Sequence, residues 1–154
     1  LGPLCNPARA EAAVIGVADG SRVALMAAAA RSLGIRRALV VHGSDGMDEL
    51  TLAGPSRCAR LEKGRIRNMT VTPARAGLKP RAGRVGRGGD PDRNARVATE
   101  ILGGRRGAAR DLVVLNAAAV LEIGGAARDL REGAALAAES LDRGAAAAKL
   151  EALR

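Results

Sequence analysis

At 154 residues, 47% apolar and with a mean hydropathy of zero, the chain has the size and balance of one soluble domain. Its charge of +9 and pI near 11.2 invite a polyanion partner, yet the basic residues are spread out, nearly all are Arg, and no Phe, Tyr or Trp exists on which a base could stack. No stretch approaches the roughly 20 uninterrupted apolar residues of a membrane span, and Cys5 and Cys58 match neither metal-ligand spacing nor a disulfide framework, so reduced thiols and a cytoplasmic location are expected.

The opening Leu1-Gly2-Pro3-Leu4-Cys5-Asn6-Pro7 is stiff, because two prolines fix the backbone while Gly2 permits close approach of a ligand or another segment. Read without context it is a plain connecting loop. It starts with Leu rather than Met, so a segment of something longer is expected. Ala13 to Val17 form an apolar run of the kind that becomes a buried strand. Ser21 is expected to cap a helix with Val23, Ala27, Ala30 and Leu33 on its inner face, and Gly34 to stop it. Ala38 to His42 read as a second buried strand. Strand, helix and strand make a βαβ unit with a parallel pair.

After that strand comes His42-Gly43-Ser44-Asp45-Gly46-Met47-Asp48-Glu49. Ligands bind beyond the carboxyl ends of strands in open α/β sheets. Three carboxylates around a glycine turn are the type of group that gathers a hard cation such as Mg2+, and adjacent Asp48 and Glu49 repel unless something intervenes. A solvated acidic turn explains the same residues. His42 reads as a strand-end residue satisfied by a backbone group, and no nucleophile, base and orienter set is present.

Cys58 to Leu61 and Ile66 to Val71, joined by Lys63-Gly64, read as an antiparallel hairpin. Residues 73 to 89 hold Pro73, Pro80 and several glycines without periodicity and read as a surface loop that includes the densest basic stretch, Arg75 to Arg87. Gly86 to Asp90 superficially resemble a phosphate-gripping loop, but no strand feeds it and Asp90 would oppose an anion, so a helix start fits better. Asp90-Pro91 supply a cap and a first-turn proline, with Ala95, Ala98, Ile101 and Leu102 facing inward and Gly103-Gly104 ending the helix. Ala108 to Ile123 are apolar nearly all round, which suits a helix in the middle of a fold. Asp129 and Glu132 resemble a capping box for a last helix with a stripe of Leu130, Ala134, Ala137 and Leu141, broken at Gly144. With no aromatic residue the core must be aliphatic, so modest stability and an open apolar face are expected.

In their order and spacing, LGPLCNP, VIGV, ALVVHGSDGMDE, the GGD-x-x-x-NA stretch from Gly88 to Ala95, LNAAAVL around Asn116 and the closing LREGAALAAESLDRGAAAAKLEALR resemble anthranilate phosphoribosyltransferase along essentially all of the chain. The resemblance implies that residues 1–154 are a partial carboxy-terminal α/β domain of the anthranilate/nucleoside phosphorylase type. Its sheet would be largely parallel, flanked by helices and bearing the hairpin. The helical domain and the glycine-rich phosphate loop would lie upstream of Leu1.

It implies transfer of phosphoribose from phosphoribosyl pyrophosphate to anthranilate in tryptophan biosynthesis, with Mg2+ and a homodimeric complete enzyme. Asp48 and Glu49 match the family's acidic pair that helps hold the metal, and Gly2, Pro3 and Asn6 match the segment lining the anthranilate site. Cys5 departs from the family's threonine. No catalytic residue falls in the chain, which is expected to be inactive alone. The alternative is a nucleic-acid-binding relative of the same fold, and a pyrimidine-nucleoside phosphorylase ranks last.

Overall fold

A computed structural model of the chain describes residues 2–83, 85 and 88–153. The elements are β1 (Ala12–Gly16), α1 (Val23–Ser32), β2 (Arg37–Gly43), β3 (Ser56–Glu62), β4 (Arg65–Val71), α2 (Pro91–Leu102), α3 (Ala108–Gly124), α4 (Leu130–Asp142) and α5 (Ala145–Glu151). Short 3-10 turns occupy Gly2–Cys5, Gly20–Arg22 and Pro73–Ala76.

The four strands form one sheet in the order β1-β2-β3-β4. β1 and β2 run parallel, with Ile15 opposite Val40, because the crossover through α1 returns the chain in its starting direction. β2 with β3 and β3 with β4 run antiparallel. The α/β class, the βαβ unit and the hairpin are therefore present, while the sheet of the described residues is mixed where a largely parallel one was expected. The Lys63-Gly64 turn has positive φ at both positions, 50° and 72°, the geometry that matches the twist of a two-residue hairpin.

Both faces of the sheet are covered, which is why β2 is buried almost throughout and reads as a continuous apolar run rather than an alternating one. Ala38 and Val40 join Ile15, Val17, Ala59 and Leu61 beneath Val23, Ala27 and Ala30 of α1. Leu39 and Val41 face the other way, into a core with Leu112, Leu115 and Ala118 of α3 and Leu130, Ala134, Ala137 and Leu141 of α4. Arg60 of β3 forms an ion pair with Glu122 of α3, and Arg37 of β2 donates to the Gly124 carbonyl at 3.1 Å, satisfying a carbonyl at the end of that helix.

Several local expectations are corrected. Asp19, not Ser21, is the cap: its carboxylate accepts from the Ser21 backbone N–H at 2.9 Å and hydroxyl at 2.7 Å, winding an extra 3-10 turn before α1. Leu33 is exposed because α1 has already ended and Leu33 is its C-cap residue. Ala95 and Ala98 are exposed too, since α2 meets the fold mainly at its last turn, where Ile101 is buried. Val113 and Val120 of α3 lie on its outer face. Within the supposed surface loop, Pro73 and Ala76 are buried against α4. The cap of α2 is as read, Asp90 accepting from Arg93 N–H at 2.7 Å with Pro91 at the first helical position.

Candidate functional site

The acidic bend lies where β2 gives way to the loop before β3, at the carboxyl end of the parallel pair. Two strand-end glycines shape its seat. A Cβ on Gly16, the last residue of β1, would lie 1.7 Å from the Asp48 carbonyl oxygen, so only glycine lets the bend rest on that strand. A Cβ on Gly43 would lie 2.7 Å from an Asp45 carboxylate oxygen and 3.1 Å from the Glu49 carbonyl. The bend closes through Gly43 N–H to Met47 C=O at 2.8 Å and Gly46 N–H to Gly43 C=O at 2.9 Å.

The three nearby acids divide into two groups. Asp45 is consumed internally, accepting from the Thr51 hydroxyl at 2.8 Å and the Met47 N–H at 3.4 Å. Among the described residues no group of three or more His, Cys, Asp or Glu converges as a metal cluster, so Asp45 does not join the pair that the resemblance assigns to the metal. Asp48 and Glu49 remain. Both are exposed, and neither side chain has an ion pair or hydrogen bond among the described residues, in a chain with 25 Lys and Arg. Partial withdrawal from water, and then the negative charge of Asp48, raise the Glu49 pKa above the ordinary carboxylate value. A hard cation would relieve both penalties at once, and carboxylate oxygens are the ligands Mg2+ prefers, so this pair fits the ion.

Sequence reasoning missed what holds the bend. Leu50, next to Glu49 and fully buried, donates its N–H to Asn116 Oδ1 at 2.9 Å and accepts from Asn116 Nδ2 at 3.0 Å. The Thr51 N–H donates to Ser56 Oγ at 3.0 Å, and the Thr51 hydroxyl accepts from Ala53 N–H at 3.0 Å. The one available signal was Asn116 itself, a poor helix former inside an apolar helix.

The opening segment is elsewhere. Leu4 and Asn6 border a recess of about 620 Å³ with Ala12, Ala13 and Val14 of β1 and residues 33–36 beyond α1. Asp48 sits instead at Gly16, about 13 Å of strand from Ala12 at the usual rise per residue. Gly2 and Asn6 are exposed, and Asn6 Oδ1 accepts from the Ala8 N–H at 3.0 Å. Among the described residues no hydrogen bond or ion pair joins this segment to the bend. His42 has the backbone partner expected of a strand-end residue: its Nδ1 donates to the Val17 carbonyl at 2.9 Å. Cys5 and Cys58 are unpaired, the first exposed and the second buried, with burial pushing the Cys58 thiol up to about 12. A basic recess of about 800 Å³ bordered by Arg60, Lys63, Arg65, Arg67 and Arg75 lies on the outer hairpin, away from the acidic pair. Gly86 and Arg87 of the phosphate-loop look-alike lie outside the described residues, and Asn94 folds its amide back onto Gly89, as suits a helix start.

Residues 1–147 match the family described as glycosyl transferase family, a/b domain. An anthranilate phosphoribosyltransferase of Moorella thermoacetica is 51% identical over 154 residues, covering 99% of this chain and 45% of that protein. One from Parvibaculum lavamentivorans is 52% identical over 147 residues, covering 95% of this chain and 43% of that protein. The chain thus spans less than half the length of these relatives. The crystal structure of anthranilate phosphoribosyltransferase from Thermus thermophilus superposes with a TM-score of 0.86 at 42% identity, over 97% of this chain and 44% of that one. The Saccharomyces cerevisiae enzyme in complex with PRPP and Mg shares the fold, with a TM-score of 0.81 at 22% identity over 98% of this chain and 44% of that one.

Proposed function

The chain belongs to the glycosyl transferase family, a/b domain, and from that premise we propose that it is the carboxy-terminal α/β part of an anthranilate phosphoribosyltransferase, with the helical domain and the glycine-rich phosphate loop contributed from outside these residues. The observation that carries the proposal is the unpaired Asp48–Glu49 carboxylates at the carboxyl end of a parallel strand pair, one of them with a raised proton affinity. Asp48 and Glu49 hold Mg2+ in this reading. When bound there, the ion neutralises charge that builds on a departing diphosphate.

The chain's own residues orient and position. Gly16 and Gly43 seat the bend, and the Asp45–Thr51 bond fixes its interior so that the two free acids face outward. Gly2, Pro3 and Asn6 are assigned to the anthranilate side by the family motif alone; Asn6 borders the recess at the amino end of β1, whereas the amine must reach the ribose carbon that bears the diphosphate, so this part of the reading requires the segment to approach the acidic bend in the complete protein. The reading places the protein in tryptophan biosynthesis, in the cytoplasm, as a homodimer when complete. Among the described residues no helix is long and apolar enough to cross a membrane. The nucleic-acid-binding alternative draws no support from the relatives reported above.

Asp48→Asn with Glu49→Gln in the full-length protein tests the proposal. Turnover should fall by more than about tenfold at limiting Mg2+, the scale already reached when only a partner that orients a ligand is lost, and recover in part as Mg2+ is raised. Unchanged activity and unchanged metal dependence would remove the acidic pair from the mechanism.

A further inference from the structure

We infer that Asn116 of α3 is a positioning residue for the acidic pair, an inference that rests on the metal reading above. The side-chain amide uses its acceptor and both donors: Oδ1 takes the Leu50 N–H at 2.9 Å, and Nδ2 gives to the Leu50 carbonyl at 3.0 Å and the Leu112 carbonyl at 3.1 Å. Leu50 is therefore held through both of its backbone groups, as a strand neighbour would hold it, at the residue that follows Glu49. On the other side of the pair the Asp48 carbonyl abuts Gly16. The two carboxylates hang from a backbone fixed at either end, by β1 before them and α3 after them.

Three features make this more than a satisfied polar group. Asparagine is a poor helix former, and α3 is otherwise apolar around it, flanked by Leu115 and Ala117. Leu50 and Leu52 are completely buried, so the chain leaving the bend has no water to satisfy it and no freedom to drift. The two carboxylate groups have no partner of their own among the described residues, so the backbone alone places them. Carboxylates on a free loop would lose conformational entropy on gathering a cation, whereas carboxylates on a fixed backbone have already lost it. Partners that orient metal ligands, when removed, lower metal affinity by about 10–100-fold.

The test measures metal binding directly, in the full-length protein, by titrating Mn2+ with inorganic pyrophosphate present and reading free Mn2+ by electron paramagnetic resonance. Asn116→Leu removes all three bonds in a similar volume, and Asn116→Asp keeps the acceptor while replacing Nδ2, the source of both donated hydrogens, with one oxygen that repels the Leu50 and Leu112 carbonyls. Both should weaken Mn2+ binding by about tenfold or more. Leu141→Ala, a buried change on α4 that leaves all three Asn116 hydrogen bonds in place, should lower the melting temperature with affinity within about twofold of the parent. Equal weakening by Leu141→Ala would assign the effect to general stability and overturn the inference.

The combined Asp48→Asn, Glu49→Gln variant separates the two ideas. If it abolishes binding while both Asn116 variants stay within about twofold of the parent, the metal reading stands and the inference falls. If it leaves binding intact, the metal reading falls and the inference with it. A second measurement needs no variant. Amide hydrogen exchange at Leu50 should be slow without metal and change less than about twofold when Mn2+ and pyrophosphate are added, because the bond to Asn116 is already made. A large gain in protection on adding the metal would show that the bend is not held beforehand, and would overturn the inference even if the variants failed to fold.

Discussion

Cys58 and Cys5 show how the same side chain takes opposite chemistry from its surroundings. Cys58 is buried in the core with Val41 and Val71, and withdrawal from water holds its pKa near 12, so the reactive thiolate is almost absent at neutral pH. Cys5 is exposed on the opening turn. Iodoacetamide at pH 8 should therefore label one site in the folded protein and two in denaturant, with mass mapping placing the first on Cys5. Labelling of Cys58 at a comparable rate in the folded state would contradict its burial. At this scale the sequence was legible where chemistry is local. Charge alone marks Asp45, Asp48 and Glu49 together, the resemblance singles out the last two, and His42 could be assigned to a backbone partner. What could not be read was the restraint on the pair, since Leu50 and Asn116 are 66 residues apart and the close approach of Gly16 to Asp48 joins two separate segments.

Among the elements, the meeting of α3 and α4 turns on Gly133. Glycine within a helix normally costs about 1 kcal/mol relative to alanine, so Gly133→Ala would stabilise an isolated helix. Here the added Cβ would lie 2.7 Å from the Ala118 carbonyl oxygen and 3.0 Å from its Cα, both backbone atoms of α3 that cannot move aside cheaply. Overpacking of this kind costs about 1–3 kcal/mol, which outweighs the propensity gain. Urea denaturation should show the variant less stable.

The start of α4 carries a charge-dependent contribution. Asp129 accepts from the Glu132 N–H at 2.9 Å, as the capping-box reading requires, while Glu132 reaches one residue further back than expected, to the Arg128 N–H at 2.7 Å. Backbone hydrogen bonds to the ionised forms lower both pKa values, from 3.8 for Asp129 and 4.5 for Glu132. Because the folded values lie below the unfolded ones, this stabilisation is complete above about pH 5 and is lost as pH falls through the folded values. Asp129→Ala should lower the denaturation midpoint at pH 7, and the difference from the parent should shrink in strong acid when followed by denaturation over a pH series. Helix limits and caps were largely readable here. Which helix faces are covered was not, because α2 has an amphipathic sequence yet meets the fold only near Ile101.

At the scale of the molecule, a chain with no aromatic residue builds two cores from aliphatic and alanine side chains on the two faces of one sheet. Each fully buried leucine contributes about 1.5–3 kcal/mol, and alanine much less, so the margin is thin. Leu25 of α1, Leu33 just after it, and Val113 and Val120 of α3 are exposed, but α1 and α3 cover opposite faces of the sheet, so these residues are not the single open apolar face expected from composition. The chain covers 45% of the Moorella thermoacetica relative, and the proposed contributors to phosphate binding are outside it. Isothermal titration of these 154 residues with phosphoribosyl pyrophosphate and Mg2+ should show no micromolar binding, and assays no turnover. Either activity would mean that the described residues hold a more complete site than one acidic pair.

The sequential strand order bears on how the chain first acquires its shape. β3 and β4 are joined by a two-residue turn, so their pairing closes a very short loop, whereas pairing of β1 with β2 closes the much longer segment that holds α1. Local pairings of the first kind arise in microseconds and non-local ones later. The expected order is therefore hairpin first and parallel seam last, so that the acidic bend, bracketed by β2 and β3, would be outlined before its seat on Gly16 is in place; pulsed hydrogen exchange that protects β1 before β4 would contradict this.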